Sequence, residues 1–173
     1  VPEVSFPHSV AVLDNRRLNK QITEAIQLLN AMRRLDERDA ALVAGAATAK
    51  GAVEQFKRIG WSAHPALIAW RGYAPALALY TTFAIREWLN RGFNNNRPPP
   101  YDADWQPNPA AEYAGQLPPA AEVVLPPWLG DNLIHATHRS NLLRKEPVWY
   151  EAYGWSEGPD LAYIWPDPKD YNF

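Results

Sequence analysis

From Arg16 to Leu35 the apolar residues Leu18, Ile22, Ala25, Leu29 and Met32 recur at steps of three or four. That period lines one face of an α-helix, and Asp14 stands where an N-cap belongs. No part of the chain shows the apolar–polar alternation of a half-buried strand. In "GWSAHPALIAWRGYAPALALYTTFAIREWLNRGF", Pro65 and Pro75 suit the first turns of two successive helices joined at Gly72 and Tyr73. Gly92 can close the second of these in the left-handed conformation, with Phe93 packing back on its last turn. The segment "LGDNLIHATHRSNLLRK" reads as a third main helix that stops before Pro147. These elements predict an all-α fold.

At 173 residues the chain can bury one good core but hardly two. We therefore expect residues 1–173 to form one compact helical bundle. A passage through Gly45 and Gly51 is expected to be helical in part. Residues 94–127 carry repeated prolines, and no Lys or Arg occurs from Pro98 to His138. This reads as an irregular excursion within the domain, laid on the core by Tyr101, Trp105, Tyr113 and Trp128. The aromatic C-terminal tail lacks a helical period and should wrap the surface, while Trp61, Trp70 and Trp88 are assigned to the core.

There is no cysteine and no window of eighteen uninterrupted apolar residues. The sequence opens without a basic region followed by an apolar signal core. The expectations are a soluble, cytoplasmic monomer with no membrane partner and no cofactor. Phosphate-cradling GxxxxGK and GxGxxG patterns are absent. His135 and His138 have the HxxH spacing that could hold a metal if a carboxylate joined them, or they are ordinary helix histidines. No acidic residue stands at the right step, so no metal site is assigned.

The net charge of −2 hides a division. Residues 1–97 hold thirteen Lys/Arg against eight Asp/Glu, and residues 98–173 hold four against eleven. Three of those last four cations, Arg139, Arg144 and Lys145, fall in "HRSNLLRKEPVWYEAYGW", among four large aromatics. Arg16, Arg17 and Lys20 crowd the N-terminal end of the first long helix, where the dipole disfavours cations and free N–H groups attract anions. Either an anionic partner resolves that conflict, or the side chains reach water and pair with Asp14 and Glu24. Trp149 and Tyr150 beside a basic helix end are what a stacked base and its phosphate require. His64, before Pro65, is either a helix cap or a substrate contact.

"REWLNRGFN" and "RKEPVWYEAYG" resemble corresponding parts of the pyrimidine-dimer DNA glycosylases of the bacteriophage endonuclease V type. The bacterial branch of that family is similar over Val12 to Gln21, Gly60 to Gly72 and Pro126 to Lys145. The resemblance implies a helical protein that binds damaged double-stranded DNA, flips a nucleotide and cleaves the glycosidic bond. Strand cleavage would follow through a Schiff base on the N-terminal amine, that of Val1 in this numbering. It places the functional basic pair at Arg16 and Lys20 and basic contacts at His138 and Arg139. The family's catalytic glutamate falls on Arg17 here, which leaves Asp14 and Glu24 as candidate carboxylates. The expected DNA face comprises Arg17, His64, Arg71, His138, Arg139, Asn141, Arg144, Lys145, Trp149 and Tyr150. Arg17 at the glutamate position favours the alternative, a non-catalytic DNA-binding or phage-associated interaction protein that keeps the fold.

Overall fold

The computed structural model describes residues 1–43, 59–97 and 123–171. The expectations for Gly45, Gly51, Tyr101, Trp105 and Tyr113, and for most of the Pro-rich excursion, lie outside these residues.

Among the described residues the regular structure is all helix, with no strand. The elements are α1 (Phe6–Ala11), α2 (Asn15–Val43), α3 (Pro65–Trp70), α4 (Ala74–Asn90), α5 (Asn132–Lys145) and α6 (Pro147–Tyr150). Short 3-10 turns follow at Glu151–Tyr153 and Pro168–Asp170. The amphipathic period of α2 runs further than Leu35, to 29 residues, and buries Leu18, Ile22, Ala25, Leu28, Leu29, Met32 and Leu35. Asp14 caps it as expected, its Oδ1 accepting from the Arg17 backbone N–H at 3.1 Å. Pro65 and Pro75 occupy first turns, and Gly72 sits at the joint with φ 85°. Gly92 takes φ 82° after α4, and Phe93 stacks on Trp88 with ring centroids 4.1 Å apart.

Helix α2 packs along α4, and α1 lies against α4, where Phe6 meets Tyr80 edge-on at 5.5 Å. Trp128 donates its indole N–H to Ala69 O at 2.8 Å and sits edge-on to Trp70. One cluster of buried side chains joins all these elements. Arg91 fastens the α1–α2 corner: its guanidinium donates to the carbonyls of Val10, Ala11 and Leu13 and to Asn15 Oδ1, while Nε pairs with Glu87. The carbonyls that α1 leaves open at its end therefore have a charged donor.

The tail does wrap the surface, but it begins with the helical turn α6, which its sequence period did not announce. It then runs back along α5. Leu161 N–H donates to Ser140 Oγ, Ile164 N–H to Thr137 Oγ1, and Tyr171 hydroxyl to Asp131, the N-cap of α5. Tyr163 and Trp165 are carried in this way to the rim of a cavity between α2 and α5.

Candidate functional site

The cavity has a volume of about 390 Å3. One stripe of α2 forms its floor and side: Arg17, Lys20, Gln21, Glu24, Ala25 and Leu28 recur at helical spacing and all line it. Across from them stand His138, Asn141, Leu142 and Lys145 of α5. Trp61, His64, Trp70, Tyr80, Tyr163 and Trp165 supply an aromatic wall. Trp61 packs half-buried against the core, as its sequence context suggested, and also lines the cavity. It adopts φ 71°, unusual for a bulky side chain, and turns its half-buried ring toward His64 at 4.6 Å on the cavity wall.

Val1 also lines the cavity, and its amine shares a 3.0 Å hydrogen bond with His138 Nδ1. Helix α5 grips the first residues with three side chains on one face, spaced i, i+3 and i+4. His135 accepts from Gly130 N–H on Nε2, so its Nδ1–H donates to Val1 O at 3.0 Å. Arg139 donates to Pro2 O at 2.9 Å. The HxxH spacing is thus a backbone clamp, and both ring nitrogens of His135 are occupied. Among the described residues no group of His, Asp and Glu is arranged to hold a metal ion.

Burial lowers the Val1 amine from its ordinary 8.0 to about 5. His138 is 7% exposed, and burial, then the adjacent amine and Lys145, hold its imidazole well below its usual value. Tyr163 approaches the same Nδ1 at 3.3 Å, and burial pushes its phenol up to about 12. Lys145 is lowered by burial and then by the charges of Lys20, Arg17 and Arg144. Cations therefore crowd one side of the cavity closely enough to disfavour one another, which an anion would relieve.

The two candidate carboxylates separate cleanly. Glu24 lines the cavity and pairs with Lys20 at 3.5 Å. Asp14 does not line it: its oxygens are taken by the Arg17 backbone and guanidinium and by the Tyr150 hydroxyl at 2.6 Å. Burial pushes the Asp14 carboxyl up, but those hydrogen bonds outweigh it and hold the group below its usual value.

The remaining expected contacts fall into two groups. Arg17, Lys20, His64, His138, Asn141 and Lys145 are gathered around the cavity. Arg16 and Arg144 are exposed, and Arg144 donates to Asn141. His64 also caps α3 through Nδ1, so both readings of that residue hold geometrically. Arg71 pairs with Asp39 away from the cavity. Arg139 is engaged by Glu157 and Pro2, and Tyr150 is 0% exposed, with its ring stacked on Trp155. Tyr150 thus has no free face for a stacked base, contrary to expectation, whereas His138 is buried at the cavity wall. Trp149 has one: it is 40% exposed, its ring anchored by an N–H bond to Val12 O. Gln21, Tyr80, Tyr163 and Trp165 were missed as site residues. Gln21 could have been found from the α2 stripe, whereas the tail aromatics reach the cavity only through the fold.

No helix among the described residues is long and apolar enough to cross a membrane. Neither a curated protein nor a solved structure matches the chain. A family model described as pyrimidine dimer DNA glycosylase matches residues 3–99, the stretch that holds α1 to α4 and the whole α2 stripe of the cavity. That match spans more than half of the sequence, and the chain belongs to the pyrimidine dimer DNA glycosylase family.

Proposed function

We propose that this protein is a DNA-repair glycosylase with an associated lyase step, and that it works on a nucleotide turned out of duplex DNA into the α2–α5 cavity. The observation that carries the reading is the cavity itself, which gathers a carboxylate, a neutral amine, aromatic walls and a cationic side in one place. Arg17, Lys20 and Lys145 attract the flanking phosphates, and the rings receive the base. Glu24 lies seven residues beyond Arg17, two turns along the same helix face. The carboxylate that the family resemblance places at Arg17 is then supplied from Glu24.

The chemistry follows from charge and protonation. As the bond from C1′ to the base breaks, positive charge grows on the sugar, and the Glu24 carboxylate stabilises it. In a chain that starts at Val1, the neutral amine attacks C1′ as the bond to the base breaks, and the base leaves with one amine proton; the C1′–O4′ bond then opens, O4′ takes the second proton, and C1′ becomes the imine carbon. A carboxylate in reach of C2′ can then take a proton there, so that the C3′–O bond breaks by β-elimination. His138, hydrogen-bonded to the amine, keeps it oriented, and burial keeps it unprotonated.

The test is incubation of the protein, its first residue verified by mass, with duplexes holding one cyclobutane dimer or one abasic site. Base release and strand cleavage are expected, with borohydride trapping a covalent complex on the N-terminal peptide. Base release without an adduct would assign the attack to water. Binding with neither product would favour the non-catalytic DNA-binding reading, for which Arg17 at the glutamate position is the supporting observation.

A further inference from the structure

Inside the cavity Gln21 is held in one orientation. Tyr80, 1% exposed, donates its hydroxyl to Gln21 Oε1 at 3.0 Å. Gln21 is the one hydrogen-bond partner of that phenol among the described residues, so the reverse amide orientation would leave a buried O–H without an acceptor. Burial also raises the phenol far above neutrality, which keeps the proton on it. Gln21 Nε2 has no partner among the described residues. Tyr80 takes one of the two lone pairs of that oxygen and holds the oxygen toward itself, so the groups the amide leaves open are chiefly its two N–H donors.

A free glutamine reads adenine by accepting from N6 and donating to N7 together. Gln21 is held away from that pairing, because its oxygen is turned to Tyr80. Resting on the glycosylase reading of this cavity, we propose that Gln21, pinned by Tyr80, is a specificity-determining residue that selects bases presenting a carbonyl edge. Thymine-, uracil- and guanine-derived bases offer O4 or O6 to such a donor. Adenine- and cytosine-derived bases present an exocyclic amino group at the equivalent place, and donor would meet donor. A polar site built this way rejects the mismatched edge because buried groups on both sides stay unpaired.

The experiment compares duplexes of one sequence that differ only at a single mispaired, easily everted base: thymine or uracil against adenine or cytosine. Affinities are measured by titration and referred, variant by variant, to a duplex with an abasic site, which presents no base. The wild type should favour the carbonyl-bearing bases by about tenfold, the effect of one unmade hydrogen bond. Gln21→Leu should bring the ratio near one, and Gln21→Glu, which replaces donors by acceptors, should favour the amino-bearing bases. Tyr80→Phe frees the amide to turn and should admit adenine. Gln21→Leu leaves the buried Tyr80 hydroxyl without its acceptor whereas Gln21→Glu keeps one, and melting curves report folding for each variant. A wild-type ratio near one with intact abasic-site binding, or a tenfold ratio unchanged in Gln21→Leu, would overturn the role of Gln21 alone. If abasic DNA is not bound at all, the glycosylase reading falls and this proposal with it.

Discussion

Asp14 shows how one residue can look catalytic in a sequence and be structural in the fold. It caps α2, receives the Tyr150 hydroxyl and holds the Arg17 guanidinium, so nothing is left for a substrate proton. Asp14→Asn should cost about 1–3 kcal/mol of stability, read as a lower melting temperature, because it weakens a cap and a buried charge-assisted bond. In a chain that starts at Val1, its amine and His138 set the acid side of stability. Both are held neutral in the fold, so the unfolded chain binds protons that the folded chain does not, and stability rises with pH wherever that difference exists. For the amine that interval runs from about 5 to 8. Melting temperature should therefore fall on acidification from pH 8 to 5, and acetylating the amine should remove part of that slope. Asp14 acts lower still, since its contribution is present above the ordinary carboxylate value and lost as pH falls through its depressed one.

At the scale of elements the corner between α1 and α2 rests on Arg91. Its fork reaches three backbone carbonyls and Asn15 at once, a geometry that lysine's single ammonium cannot copy. Arg91→Ala should destabilise by about 2–3 kcal/mol in denaturant titrations, with Arg91→Lys giving little rescue. The helices α2 to α5 were legible in the sequence because period, proline at the first turn, Asp14 at a cap, Gly92 past one end and Pro147 past another all agreed. Helix α1 was not, since six residues hold too little period and its position depends on Phe6 reaching Tyr80. The site was legible in part. Lys20, Glu24 and Lys145 announced themselves by charge, but only folding shows that Glu24 faces the cavity while Asp14 does not. The clamp formed by His135, His138 and Arg139 was also hidden, because the residues it holds are more than a hundred positions away.

Over the whole molecule, a chain of net charge −2 can still present a cationic site, because Arg17, Lys20 and Lys145 converge from two helices. Each phosphate that a variant no longer neutralises should shallow the log–log salt dependence of duplex binding by about 0.9. Charge reversal of Lys20 and Lys145 should therefore flatten that slope, whereas Arg139→Gln, removing a cation already engaged by Glu157, should leave it and lower stability instead. In the function proposed above, this cavity performs the chemistry with Glu24 as its carboxylate. The most direct test of that claim is the single-turnover rate of strand cleavage at an abasic site, with enzyme in excess of the measured Kd, for wild type, Glu24→Gln and Asp14→Asn. The rate should fall by about 10²–10⁴-fold in Glu24→Gln and stay near wild type in folded Asp14→Asn. Cleavage by Glu24→Gln at the wild-type rate, or a loss confined to Asp14→Asn, would contradict the claim.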